Sequence, residues 1–217
     1  MKRRVPALLA ASALALGAVQ ATAPAANAAP ATQRAAAGED SLAGLLLSDN
    51  DEFDKNKNDF DILTQAALAV VTAKPDSPVA LVTDGSKRLT VFAPTDEAFR
   101  KLAQDLTGKK IRSEKKIFDT LVAAAGVDAI EQVLLYHVIP GKTLTSAKVL
   151  KANGAKLTTA EGAKIKVKVT MHPVSVTLKD RDKNAEDPQA ILKALDLNKG
   201  NKQIAHGIDR VLRPFDL

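Results

Sequence analysis

The histidines are the side chains best suited to acid–base or metal chemistry in this chain, which has three of them and no cysteine. His137 and His206 each lie within an apolar pattern, whereas His172 precedes Pro173 and is expected in an exposed turn. No cysteine or nearby glutamate stands at metal-ligand spacing from any of the three. We therefore predict that His137 and His206 are hydrogen-bonded core residues, and that the chain uses no metal.

Two polar loops have the alternating Asp and Asn residues of a calcium-binding loop. In one of them, Asp180, Asp182 and Asn184 have the right spacing, but Ala185 replaces the required glycine and no Glu stands at the last ligand position. The other loop, at residues 54–58, fails in the same way. Both are predicted to be solvated turns, and no cofactor is expected.

The sequence contains no pattern typical of an enzyme. It has no Gly-x-Ser-x-Gly elbow and no glycine loop that could hold a phosphate. The adjacent carboxylates of Asp96 and Glu97 follow Thr95, which is predicted to cap a helix, and the helix dipole accounts for acidic residues there. We therefore expect Thr95 and Asp96 to be structural and the chain to be non-catalytic.

The amino terminus has the pattern of a secretory signal peptide. Basic residues 2–4 precede an apolar run at 7–19, and residues 26–28 (Ala-Asn-Ala) offer the small residues of a cleavage site. Cleavage is predicted after Ala28, by either the general or the twin-arginine route. Residues 29–58 are predicted to be a flexible leader and polar loop, with one docked helical turn at 41–47. The mature protein is expected to be secreted, with no membrane span.

Composition limits the classes of partner. The net charge is +6, and removal of the three basic residues in the signal peptide lowers it to +3. The chain has no Trp and one Tyr, so it lacks the aromatic side chains on which single-stranded nucleic acids stack. Nucleic acid is therefore not expected as a partner. Without cysteines, the fold must be held by its core alone.

Hydrophobic periodicity predicts helices first and strands later. Helices are expected from residue 60 to 71, with Asn58 or Asp59 as the cap, from 95 to 106, and from 113 to Gly126. A further helix is expected from Asp128 onward, with Glu131 completing a capping box. Strands are expected at 89–92, 165–171 and 174–178, with weaker candidates at 143–144 and 156–158. This order predicts an α+β fold with an antiparallel sheet.

Alternate residues of one predicted strand form a stripe of lysines. Lys164, Lys166 and Lys168 are spaced about 6.6 Å apart along a strand, on the side opposite the apolar residues. They could contact an anionic polymer. The favoured interpretation is that they keep an amphipathic strand soluble without binding anything.

Three segments resemble the signature motifs of the fasciclin domain family. Residues 90–99 (Thr-Val-Phe-Ala-Pro-Thr-Asp-Glu-Ala-Phe) are similar to its first box, residues 134–141 (Leu-Leu-Tyr-His-Val-Ile-Pro-Gly) to its Tyr-His motif, and residues 204–214 (Ile-Ala-His-Gly-Ile-Asp-Arg-Val-Leu-Arg-Pro) to its second box. Their order and separation identify residues 59–217 as a fasciclin-like domain. The resemblance implies an antiparallel β-sandwich or wedge with helices packed on one side.

The second box departs mildly from the family pattern. Gln203 stands where glycine is common, Ala205 and Gly207 replace larger apolar residues, and Arg213 replaces a neutral one.

The resemblance also implies a function. Fasciclin domains serve cell adhesion and matrix association, so the expected partner is an extracellular surface protein or a cell-wall or matrix polymer. The adhesive positions proposed for the family correspond to Tyr136 and His137 and to the pair Asp196 and Leu197. The alternative is a secreted binder of a small apolar or polysaccharide ligand, which a deep apolar pocket would favour. For His137 we also predict a buried hydrogen bond near Thr95 or Asp96.

Overall fold

The structure is a computed structural model that describes residues 38–48 and 53–216. The predicted signal peptide, its cleavage site after Ala28 and leader residues 29–37 lie outside the described residues. Within the described ranges, no helix combines the length and the apolar composition that crossing a membrane demands.

Helices and strands follow one another in the predicted order. The helices among the described residues are α1 (Leu42–Leu46), α2 (Asp61–Ala73), α3 (Asp96–Thr107), α4 (Glu114–Tyr136) and α5 (Ser146–Leu150), with 3-10 turns at Pro78–Thr83 and Leu192–Ala194. The strands are β1 (Leu89–Pro94), β2 (Val138–Pro140), β3 (Lys156–Thr158), β4 (Lys164–Met171), β5 (Val174–Lys179) and β6 (Gln203–Ile208). The predicted strand at 143–144 is absent from the described part of the chain.

The strands form two three-stranded sheets. The first has the order β2-β1-β6 and contains both boxes, and the second has the order β3-β4-β5. The α+β class is confirmed, and the second sheet is antiparallel as predicted. In the first sheet, however, β1 and β6 run parallel, from Leu89 opposite Gln203 to Pro94 opposite Ile208. A parallel pair is possible here because a long stretch of chain separates the two strands.

The first sheet is covered on both faces. Val91 and Ala205 pack with the helices in one core cluster, and Phe92 and Ile208 pack with the second sheet in another. Every residue of β1 and β6 is buried as a result. Helices α1, α2 and α3 therefore lie on one side of the first sheet, in line with the family resemblance. Helix α5 packs with the second sheet on the other side, and α4 contributes to both clusters.

An amino-terminal arm, residues 38–46, is held against the domain. The carbonyl of Gly38 accepts a hydrogen bond from the Lys202 N–H, and Ser41 caps α1 by accepting from the Gly44 N–H. A Cβ on Gly85 would lie 1.7 Å from the carbonyl oxygen of Glu39, so only glycine allows this close approach. The docked helical turn predicted at 41–47 is observed as α1. Residues 38–40, which were predicted to belong to the flexible leader, are docked as well, because their backbone polar groups find partners on the domain.

Helix ends differ from the prediction in two places. Helix α2 has Phe60 at its N-cap without a side-chain bond, and the Asp96 carboxylate accepts the N–H of Ile62 instead, at 2.9 Å. The predicted interruption at Gly126 is found inside α4, where φ is 72°. Glu131 does not complete a capping box: its carboxylate binds Lys74, the residue after α2, at 2.6 Å.

Candidate functional site

Tyr136 and His137, the first pair of predicted adhesive residues, lie in the core. Tyr136 is 0% exposed and His137 is 1% exposed. The Tyr136 hydroxyl donates a hydrogen bond to the carbonyl of Lys164, 3.4 Å away. Because neither side chain reaches the surface, the prediction that they contact a partner is corrected: in the folded domain they hold α4 to the sheets.

The imidazole of His137 uses both of its nitrogens. Nδ1 lies 2.7 Å from the carbonyl oxygen of Val133, to which it donates, and Nε2 accepts the backbone N–H of Leu212 at 2.9 Å. Burial lowers the pKa of His137 to about 4, so the ring is neutral at physiological pH. The predicted partner near Thr95 or Asp96 is wrong, since the bond leads to the second box.

His206 is fixed in the opposite tautomer. Its Nε2 donates to the carbonyl of Leu144 at 2.7 Å, and its Nδ1 accepts the Asp196 N–H at 3.2 Å. Burial lowers its pKa as well. Because both nitrogens of His137 and of His206 are engaged, neither ring has a lone pair left for a metal ion.

The second predicted pair, Asp196 and Leu197, lies just before β6. The Asp196 carboxylate accepts hydrogen bonds from the backbone and hydroxyl of Ser146, both at 2.6 Å. Burial opposes ionisation of Asp196, but these hydrogen bonds outweigh it and hold the pKa below its usual value. Leu197 exchanges backbone hydrogen bonds with Ala205. Both residues are partly buried, and their contact with a partner stays a prediction.

An apolar cavity of about 350 Å³ lies between the arm, α2 and the first sheet. Its walls include Leu42, Leu63, Val91 and Leu197, with Asp61 among the few polar groups. Ligand sites are typically apolar cavities of about 300–1,000 Å³ with a few polar groups. The cavity is therefore large enough for a small apolar ligand.

Three helices begin at one buried acidic cluster. Asp61, Asp96 and Glu114 are the first residues of α2, α3 and α4, and all three are buried. One carboxylate oxygen from each lies within 4.8 Å of the other two, so the three could share one cation. An acidic residue at the start of a predicted helix can be recognised in the sequence, because the helix dipole favours it there. In the sequence prediction this signal was used for Asp96 but not for Asp61 or Glu114.

The charge of the acidic cluster is offset by groups of the protein itself. Burial, with the facing carboxyl of Asp59, raises the pKa of Asp96 to about 8, so Asp96 carries a proton at neutral pH. Burial also raises the pKa of Glu114, and the Arg100 guanidinium lies 3.8 Å from its carboxylate. The positive ends of three helix dipoles point at the same place. A bound cation is not required to explain the cluster.

The outer face of the second sheet carries a cluster of exposed lysines. Lys164, Lys166 and Lys168 are exposed on β4, as predicted, and pairing places Lys156 of β3 and Lys179 of β5 directly opposite Lys166. We call these five side chains the lysine face. Sequence reasoning missed the two flanking lysines, because their position depends on strand register.

Only one member of the lysine face has an acidic partner in the part of the chain that the structure describes. Lys179 binds Asp187 at 2.7 Å, and this bond raises the pKa of Lys179. The four others form no ion pair with any described residue.

Comparison with known proteins gives matches over most of this fold. The family model described as Fasciclin domain matches residues 62–214. Protein sll1483 of Synechocystis is 28% identical over 151 residues, which cover 70% of this chain and 68% of that protein. The solved FAS1 domain pair from the insect cell adhesion molecule Fasciclin I superposes with a TM-score of 0.51 at 18% identity. That match covers 80% of this chain and half of the domain pair.

Proposed function

The chain belongs to the fasciclin domain family, and on that premise we propose that it is a secreted, non-catalytic module that attaches to an extracellular surface. The observation that carries the proposal is the family match over residues 62–214, which includes both boxes and the Tyr-His motif. Fasciclin domains are typically adhesion domains of extracellular or cell-surface proteins. The role proposed for this chain is therefore cell adhesion or matrix interaction.

The geometry supports binding more than catalysis. Both buried histidines are held neutral with each nitrogen hydrogen-bonded, so neither is placed to move a proton to or from a substrate. The partner is proposed to be an extracellular surface protein or a cell-wall or matrix polymer. Since Tyr136 and His137 are buried, the contact must use other residues.

Attachment of this kind gains strength from multiplicity. One domain with an exposed polar contact surface is expected to bind at about micromolar Kd, near −8 kcal/mol. Crowding many copies on a surface raises the effective concentration of the second and later contacts. The protein should therefore act when coated on a surface more than when free in solution.

The test compares coated and soluble protein. Wells coated with the mature protein are expected to retain cells or wall fragments well above wells coated with albumin, whereas the soluble protein should bind the same material weakly. A His172→Ala variant, changed at an exposed turn, serves as a matched control and should behave as the wild type. Retention equal to the albumin control on every surface tried would contradict the proposal.

A second candidate function is the binding of a small apolar ligand. The apolar cavity of about 350 Å³ is the observation that favours it. Native mass spectrometry of the protein as purified would detect a bound molecule in stoichiometric amount. Ala67→Phe, which places a large side chain in the cavity, should abolish that binding if the cavity is the site. A ligand retained by this variant, or none in the wild type, would remove this candidate.

A further inference from the structure

We propose that the lysine face binds a linear anionic polysaccharide. The inference rests on the proposed attachment function, for which it names the contact surface and the chemical class of the partner. It starts from the sheet order, in which β4 is the central strand.

Protection of a sheet edge does not explain the lysine at the centre of this face. Charged residues prevent aggregation where a strand has an unpaired edge. Lys166 is paired with β3 on one side and with β5 on the other, so β4 has no free edge there. Lys164 is paired with β3 only and Lys168 with β5 only, and it is Lys166 that lies where the need for protection is least.

The register brings like charges together. Lys166 has Lys156 and Lys179 directly opposite on the neighbouring strands, and Lys164 and Lys168 two residues away on its own strand. Neighbouring strands are about 4.8 Å apart, and alternate residues of a strand about 6.6 Å. Like charges directly opposite one another destabilise a sheet. An anionic partner would remove this repulsion on binding.

The composition of the face selects the class of anion. A lysine ammonium group is a compact point charge. It lacks the planar guanidinium with which arginine forms two parallel hydrogen bonds to a single phosphate or carboxylate. Five lysines and no arginine therefore suit a partner with repeated anionic groups. The hydroxyls of Thr158 and Thr177, opposite Lys164 and Lys168, can hydrogen-bond sugar hydroxyls. No aromatic side chain of β3, β4 or β5 is present to stack on a nucleobase.

The dimensions suit a short stretch of polymer. The three lysines of β4 span about 13 Å, and the row across the three strands spans about 10 Å. This area accommodates only a few charged sugar units, so one domain binds weakly and a coated surface binds by avidity. Binding should weaken strongly with salt, since the Debye length falls from about 30 Å at 0.01 M to about 3 Å at 1 M.

The test measures binding of the mature protein to immobilised alginate, with neutral dextran as the uncharged control. The test variant is Lys164→Gln/Lys166→Gln/Lys168→Gln. Its matched control is Lys109→Gln/Lys110→Gln/Lys116→Gln, which removes the same charge from an exposed lysine cluster beside α3 and α4. Solubility and melting temperature are recorded for both variants.

The wild type is expected to bind alginate at low salt and not dextran. The β4 variant should lose about tenfold in affinity, and the control variant less than about twofold. Equal losses in the two variants would overturn the inference in favour of net charge alone. Unchanged binding with increased aggregation of the β4 variant would overturn it in favour of solubility.

Two further outcomes separate this inference from the proposed function. Binding to vesicles of anionic lipid but not to alginate would overturn the choice of partner. If the coated protein still retains cells but does not bind alginate, the inference is overturned and the proposed attachment function is unaffected. If the coated protein retains no cells or wall material and yet binds alginate through β4, the inference holds and the proposed adhesion function is contradicted.

Discussion

The side chain of Gln203 accepts a hydrogen bond from the backbone N–H of Leu42, 161 residues earlier, at 2.7 Å. Its amide nitrogen donates to the carbonyls of Leu81 and Asp84, at 2.9 and 2.7 Å. One fully buried side chain therefore joins β6 to the amino-terminal arm and to the turn before β1. The residue that departs from the family's usual glycine is thus one of those that hold the arm.

Gln203→Gly should release the arm. The variant loses all three hydrogen bonds and leaves the buried Leu42 N–H without its acceptor, so the free energy of unfolding should fall by roughly 1–3 kcal/mol. Hydrogen exchange of the Leu42 amide should rise together with that of Leu45. Asn201→Ala removes an exposed bond to the Asp40 N–H and should cost less. Unchanged exchange in the Gln203 variant would show that the other contacts of the arm hold it without the Gln203 side chain.

His137→Ala should destabilise the whole domain. The substitution leaves the Leu212 N–H without its buried acceptor and creates a cavity, which together should cost about 2–4 kcal/mol in urea unfolding. His172→Ala is the control, because that ring is exposed and should change stability little. A His137→Ala melting temperature equal to the wild type would contradict the structural role.

The contribution of His137 to stability should decrease as the pH falls. Its folded pKa of about 4 lies below the unfolded value of 6.5, so the unfolded state binds more protons between these values. Stability from this group is complete above pH 6.5 and is lost toward pH 4, by roughly 3 kcal/mol in all.

The pH measurement must isolate His137 from groups with the opposite trend. Burial raises the folded pKa of Asp180 to about 6 and that of Asp96 to about 8, so these carboxyls contribute stability at low pH that is lost as the pH rises. The quantity to follow is the difference in unfolding free energy between wild type and His137→Gln across pH 4 to 7. A difference that does not vary with pH would contradict the assignment.

Calcium should leave the melting temperature unchanged. The proton on Asp96, the Arg100 guanidinium and three helix starts already offset the charge of the acidic cluster. Thermal unfolding with EDTA and with millimolar Ca²⁺ tests this, and Glu114→Gln is the comparison variant. A calcium-dependent rise in the wild type that is absent in Glu114→Gln would instead identify a cation site.

Local patterns predicted most of the elements. Helix α3 and strands β4 and β5 were predicted within a few residues of their observed bounds. Hydrophobic periodicity and helix capping depend on residues that are close in sequence, so both can be recognised without the tertiary structure. The break at Gly126 was predicted for the same reason.

Contacts between distant segments were not predictable in this way. The partner of His137 depends on how the second box crosses α4, and the lysines opposite Lys166 depend on the register of three strands. The acidic cluster requires three separate helices to begin at one point. Each follows from tertiary packing, for which hydrophobic periodicity carries no signal.

The parallel pairing of β1 with β6 also bears on how the chain folds. Because these strands are neighbours in space but far apart in sequence, the topology has high contact order, and closing the intervening loop delays folding. Until residues 203–208 have been synthesised, β1 keeps one edge without a hydrogen-bonding partner strand. We therefore expect chaperones to bind the nascent chain at this unpaired edge until β6 has been synthesised.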